Sequence, residues 1–191
     1  MEMRDAEGPL LVSGLDERDA LLRDGLAREV LDLVVVSPLT PVTPEIRALA
    51  VREKLGEWET AAHRGRAVGF ATAAWILTGS WADPVAGPQR LDLIIGRNRR
   101  SPRLKTARAR QIDVPTEHLQ TIETLQVTRP VRTAADVARD LPCDQALALL
   151  RLLQELHDVH PPQVLDLLSF MPYARGAAVA REVVREWSEL R

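Results

Sequence analysis

The alternation of apolar and polar positions predicts a mixed first half and a helical end for this chain of 191 residues. Short apolar runs at residues 27–36, 91–95 and 125–127 are typical of strands. Residues 15–26 have a weak helical pattern, with Asp16 as the predicted N-cap and Gly25 as the stop. The first half is therefore expected to contain strands as well as helices.

A helix is predicted to begin at Thr43-Pro44-Glu45, because this segment offers a capping hydroxyl, a proline for the first turn and an acid near the dipole. The helix is expected to reach about residue 63. Its apolar face comprises Val51, Leu55, Trp58 and Ala62. The almost wholly apolar segment 70–77 predicts a second, buried helix that ends at Gly79.

The last third is predicted to be helical, at about residues 128–139, 144–157, 160–168 and 177–190. In the last helix, Val179, Val183, Trp187 and Leu190 are expected to face the core. The predicted fold class is α+β, with a winged-helix-like N-terminal remnant, a small mixed sheet with helices, and a C-terminal helical cluster. The prolines near residue 40 predict a boundary that separates residues 1–38 from 39–191. The second part divides into an α/β portion (39–127) and a helical portion (128–191).

The composition excludes several classes of site. The single cysteine, Cys143, permits no intrachain disulfide and no cysteine-based zinc site. The four histidines show no ligand spacing, so neither a metal nor a cofactor is expected. The longest unbroken apolar runs, residues 73–77 and 146–150, have five residues, far short of the roughly 20 that a membrane span needs. The acidic, polar start is unlike a signal peptide, and the protein is expected to be cytoplasmic.

One basic stretch is unusual for a chain whose net charge is −2. Its cationic residues, which no acid interrupts, are Arg97, Arg99, Arg100, Arg103, Lys105, Arg108 and Arg110. The stretch follows a predicted strand and passes through Ser101-Pro102, so we expect a basic hairpin. Such a hairpin is compatible with a solvated loop, with contacts to nucleic-acid phosphates or with an acidic protein partner. The absence of interleaved aromatic residues argues against a single-strand binder.

The segment 128–139 offers a second candidate set. Thr128 is expected to cap a helix, and Arg132 and Asp136 are spaced to form an ion pair on one face. A structural role is the favoured interpretation. The alternative is that Arg132 and Thr133 contact a partner.

Known catalytic patterns are missing from the sequence. There is no nucleophile elbow, phosphate loop or dinucleotide fingerprint. Asp92 lies on a predicted strand, but the acid-x-Lys pair of a metal nuclease does not follow it. Cys143 lies at a predicted helix start, where the neighbouring Asp144 opposes thiolate formation. We therefore expect a protein that is not an enzyme.

The segment LQVTRPVRTAADVARDLP at residues 125–142 resembles a pattern of actinobacterial AbiEi-family antitoxin-like proteins, with V-T-x-P-x-R-T-x-x-D at its centre. The segment TAAWILTG at 72–79, the strand at 91–95 with its arginines, and ARGA at 174–177 also fit. The resemblance covers about residues 66–190. It includes Thr128, Arg132, Thr133 and Asp136 as motif residues.

The resemblance implies an N-terminal winged helix-turn-helix and a C-terminal α/β antitoxin domain. It also implies an autorepressor that binds operator DNA and opposes a nucleotidyltransferase-type toxin. The first 33 residues depart from the pattern. They carry nine acids and four bases, a net charge of about −5 that DNA phosphates would repel. They also leave little room for the three helices of a complete module.

The leading hypothesis is therefore an antitoxin-like, DNA-binding regulator. The alternative is an interaction module that uses the basic hairpin on an acidic partner and binds no DNA. The oligomeric state is left open.

Overall fold

The computed structural model of the chain has an α+β fold and describes residues 8–56, 66–81, 90–97, 105–171 and 175–190. The helices are α1 (Leu15–Arg23), α2 (Pro44–Leu55), α3 (Phe70–Thr78), α4 (Pro130–Asp140), α5 (Cys143–His157), α6 (Pro161–Ser169) and α7 (Ala177–Glu189). The strands are β1 (Leu10–Leu11), β2 (Arg28–Leu31), β3 (Val34–Val36), β4 (Arg66–Val68), β5 (Leu91–Ile95), β6 (Ala107–Gln111), β7 (Leu119–Ile122) and β8 (Leu125–Thr128). A 3₁₀ turn spans Thr116–His118.

Contacts between these elements divide the chain into two units. The first comprises Met1–Arg64 with Ile122–Leu125, and the second comprises Gly65–Thr121 with Gln126–Arg191. The sequence placed its boundary at residues 38–39, whereas the first unit continues through α2. The reason is that α2 packs its buried face against the strands of the N-terminal sheet.

The sheet of the first unit is antiparallel, in the order β1-β3-β2. The prediction of one strand over residues 27–36 is wrong, because a turn that places Leu33 at φ 62° divides it into β2 and β3. The predicted Asp16 cap is also wrong: Gly14 occupies the N-cap position of α1. Between residues 8 and 38 one helix precedes the hairpin, and a winged helix-turn-helix needs three.

The start of α2 is as predicted. Thr43 is the N-cap, and its hydroxyl accepts a hydrogen bond from the Ile46 amide at 3.4 Å. The helix ends at Gly56, which has φ 60°. The predicted continuation to about residue 63, with Trp58 and Ala62, lies outside the described residues.

The second unit is built on a five-stranded mixed sheet in the order β6-β5-β4-β8-β7. β4 pairs antiparallel with β5 and parallel with β8. The predicted buried helix is confirmed as α3, which begins directly after β4. Between them Gly69 lies so close to the sheet that an added Cβ would be 2.4 Å from Ile94 Cδ1. This close approach brings the start of α3 against β5.

The C-terminal helices pack around α4, which contacts α3, α5, α6 and α7. The predicted inward face of α7 is partly wrong, because Val179 and Leu190 are exposed. The buried residues of this helix are Ala177, Ala180, Val183, Val184 and Trp187. Val183 and Trp187 are buried as predicted, and small alanines occupy the rest of the interface together with Val184. No helix within the described ranges is long and apolar enough to cross a membrane.

Candidate functional site: an arginine-lined pocket

The basic stretch does not form the predicted hairpin. β5 and β6 pair in parallel, with Leu91 opposite Ala107 and Ile95 opposite Gln111. A hairpin joins antiparallel strands, whereas two parallel neighbours need a connection that returns the chain to the end of the sheet at which the first strand began. Residues 96–106 make that connection. Arg99, Arg100 and Arg103 lie in it but outside the described residues.

The described cations of this stretch occupy three different environments. Arg97 follows β5 and is exposed; its amide donates to Asp113 Oδ1 at 3.0 Å, and its Nε lies 3.8 Å from Asp113 Oδ2. Lys105 is exposed just before β6. Arg108 and Arg110 are two residues apart on β6, so their side chains leave the same face of the sheet.

Arg108 and Arg110 converge on two aspartates. Arg108 Nε donates to Asp92 Oδ1 at 3.0 Å, and Arg110 Nε donates to the same oxygen at 3.2 Å. Both guanidinium groups also donate to Asp140, at the end of α4. Burial acts to lower the pKa of Arg110, but Asp140 and Asp92 outweigh it and raise that pKa above its ordinary value. Internal carboxylates therefore hold these two arginines in place.

These side chains line a concave pocket of about 770 Å³ in the second unit. Among the described residues of its lining, five are arginines and one is an aspartate: Arg97, Arg108, Arg110, Arg139, Arg175 and Asp140. The other described lining residues are apolar: Phe70, Ile112, Phe170 and Met171. We call this feature the arginine pocket. Its polar lining is strongly cationic, which favours an anionic occupant.

A buried ionic cluster supports the pocket from within α4. Asp136 accepts from Arg132 Nε at 2.9 Å and from Arg139 Nη1 at 2.9 Å. Arg139 Nε in turn donates to the backbone oxygen of Arg175 at 3.1 Å. Burial raises the pKa of Asp136 above its ordinary value, although the neighbouring arginines act in the opposite direction. The cluster fixes Arg139, which is a pocket residue.

The four motif residues of the second candidate set are all buried. The predicted pair of Arg132 and Asp136 is present, but the prediction that Thr128 caps α4 is wrong, because Arg129 is the N-cap. Thr128 ends β8 instead; its hydroxyl lies 2.7 Å from that of Thr133, which also donates to the Thr128 carbonyl oxygen at 3.0 Å. These contacts join the end of β8 to the first turn of α4.

One lining residue of the pocket has a strained backbone. Phe70 opens α3 with φ 53°, a left-handed conformation that is rare for an aromatic residue. Its ring lies beneath the Arg110 guanidinium, 3.9 Å from the carbon of that group to the ring centroid. Strain of about 1–3 kcal/mol is typical of residues held in such conformations, and they cluster at functional sites.

Several pocket residues were not predicted from the sequence: Phe70, Arg139, Asp140, Phe170 and Met171. The three-residue spacing of Asp136 and Arg139 on a predicted helix was a usable signal for that pair. Phe70 and Phe170 carry no such signal, because their position depends on how α3 and α6 pack. Arg175 was noted only as part of a motif.

Metal-ligating and thiol side chains outside the pocket were also compared with the needs of a site. In the described part of the chain, no group of three or more histidines, cysteines, aspartates or glutamates could hold a metal ion. Cys143 Sγ donates to Glu186 Oε2 at 3.3 Å, and this hydrogen bond, with burial and nearby carboxylates, raises the pKa of the thiol.

The chain was compared with family models and with curated proteins. No family model matches the chain, and a search of curated proteins found no significant match.

Proposed function

We propose that this chain is a non-catalytic, antitoxin-like regulatory protein that acts in the cytoplasm by binding an acidic protein partner at the arginine pocket. The observation that carries the proposal is the convergence of five arginines on one concave surface. They come from separate parts of the second unit: the end of β5, strand β6, the end of α4 and the segment before α7. Arginine binds carboxylates in a planar, two-pronged geometry, which suits recognition of acidic side chains.

The internal pairing of the pocket favours a protein partner over duplex DNA. A duplex is bound mainly by cations that neutralise successive phosphates along its backbone. Here Arg108 and Arg110 already contact Asp92 and Asp140. A concave site of this kind suits a discrete anionic group better than a continuous phosphate chain.

Duplex DNA is the second candidate. Arg97 and Lys105 are exposed at the two ends of the basic connection between β5 and β6. Further arginines lie between them in the sequence. This local charge favours phosphate contacts, although the acidic N-terminal residues oppose them.

Binding of poly-glutamate and of a 20-base-pair duplex, each measured over a range of salt concentrations, tests the proposal. We expect poly-glutamate to bind at low salt. The double variant Arg97→Ala/Arg175→Ala is expected to weaken this binding about tenfold, because two charge-assisted contacts are lost. The matched control is Arg151→Ala, an exposed arginine of α5 outside the pocket.

The two candidates give different results in this experiment. Tighter binding of the duplex, with a salt slope that Arg99→Ala/Arg100→Ala flattens, would support the DNA-binding function instead. Absence of binding to both probes at low salt would refute the regulatory role at this pocket.

A further inference from the structure

The described lining residues of the arginine pocket divide by chemistry into a cationic half, its arginines, and an apolar half. Phe70, Ile112, Phe170 and Met171 share the lining with the arginines. The volume of about 770 Å³ lies within the range of small-molecule sites, roughly 300–1,000 Å³. A ligand that matches both halves has a negative group and a flat or apolar body.

The cationic half retains donor capacity. Arg108 uses Nε and Nη2 on Asp92 and Asp140, and its Nη1 donates to no described residue. Arg97 and Arg175 are exposed on the lining. The cationic residues of the lining that the structure describes are all arginines. Guanidinium groups present forked donors that match the oxygens of a phosphate group.

Among the described residues of the apolar half, one aromatic ring is accessible. Phe170 is 82% exposed, although it lines the pocket. Phe70 is buried, and its ring is covered by Arg110. Phe170 is therefore the residue on which a planar ligand could stack, while Phe70 holds Arg110 in position below. Stacking between an aromatic side chain and a nucleobase tolerates different bases, because every base has a π-face.

We infer that the arginine pocket binds a nucleotide, with its phosphate groups on Arg97, Arg108 and Arg175 and its base against Phe170. This inference shares the pocket with the proposed function. It does not depend on a protein partner, since a small ligand can be measured on the chain alone.

Calorimetric titration of the full chain with ADP, pyrophosphate and adenosine tests the assignment. ADP is expected to bind at least about tenfold more tightly than either fragment, because only ADP contacts both halves. Phe170→Ala should reduce ADP affinity about tenfold and leave pyrophosphate affinity unchanged. Arg175→Ala should weaken both phosphate-containing ligands.

Matched controls separate these effects from general damage. Leu156→Ala removes an exposed apolar side chain of α5, and Arg151→Ala removes an exposed arginine; neither residue lines the pocket. Both variants should bind ADP as the parent chain does. Far-ultraviolet circular dichroism of every variant confirms that the fold is retained.

The remaining outcomes contradict the inference in distinguishable ways. Equal affinity for ADP and pyrophosphate, with no effect of Phe170→Ala, would show a simple anion site and refute nucleotide recognition. Absence of ADP binding would also refute it. If poly-glutamate still bound in either case, the proposed function would survive while the nucleotide assignment failed.

Discussion

Replacement of Asp136 by asparagine tests the idea that a buried ionic cluster supports the pocket. The side chains of Arg132, Asp136 and Arg139 are 3%, 0% and 9% exposed, and both ion pairs measure 2.9 Å. Arg132 Nη2 is already buried without a hydrogen-bond partner in the described structure. Asparagine keeps the size of the side chain but removes the charge that compensates two guanidinium groups.

The expected loss in the free energy of unfolding is about 3–5 kcal/mol, the usual cost of leaving one partner of a buried ion pair uncompensated. Urea unfolding followed by tryptophan fluorescence measures it, since Trp75 and Trp187 are buried in the second unit. Asp158→Asn is the matched control. The Asp158 side chain, which contacts His160, is 92% exposed, and its φ of 55° is one that asparagine tolerates. Asp158→Asn should therefore lower the free energy of unfolding by less than about 1 kcal/mol.

A double-mutant cycle separates the ion pair from the packing of α4. Arg132→Met in the Asp136→Asn background should cost less than it does in the parent chain, because the charge it compensates has been removed. A loss below about 1 kcal/mol for Asp136→Asn, or strict additivity in the cycle, would refute a supporting role for the cluster.

Two further predictions concern the helices around the pocket. Gly176→Ala should lower the free energy of unfolding in urea by at least about 2 kcal/mol, because Gly176 has φ 79° and an added Cβ would lie 2.6 Å from a backbone carbonyl oxygen of α4. The control is Gly14→Ala, whose Cβ would meet nothing within 4 Å. Equal losses in the two variants would contradict the packing argument. The raised pKa of Cys143 keeps its thiolate fraction low at pH 8. Glu186→Gln should lower that pKa and speed alkylation by iodoacetamide, whereas Glu182→Gln should leave the rate unchanged. Equal alkylation rates in the parent chain and both variants would contradict the assigned hydrogen bond.

Local signals predicted much of the fold. The capping hydroxyl and proline at Thr43-Pro44 define the start of α2, and the apolar run at residues 70–77 defines α3. These features depend on neighbours along the chain, so a sequence pattern contains them. The burial of Ala180 instead of the predicted Val179 in α7 has a different, non-local cause. It depends on how closely α7 approaches α4, which hydrophobicity alone does not encode.

The pocket depended on pairings that are distant in sequence. The alternation of Arg108 and Arg110 indicates a common face of a strand, but their partner Asp140 lies about thirty residues away. The sequence of one strand also does not determine whether β5 and β6 pair in parallel or antiparallel. Both strands are short, and β5 is apolar apart from Asp92. The hairpin prediction failed for that reason.

Internal pairing of the arginines makes the pocket more selective and still leaves it attractive to anions. Within the described part of the chain, the charged lining residues and the ion pairs that extend from them comprise six arginines and four aspartates, an excess of two positive charges: Arg97, Arg108, Arg110, Arg132, Arg139 and Arg175 against Asp92, Asp113, Asp136 and Asp140. Asp92 and Asp140 orient Arg108 before any ligand arrives, which lowers the entropy lost on binding. A flexible surface cluster has no such constraint and attracts any polyanion. This preorganisation supports the proposed recognition of a defined anionic group, and the nucleotide and poly-glutamate titrations test that proposal directly.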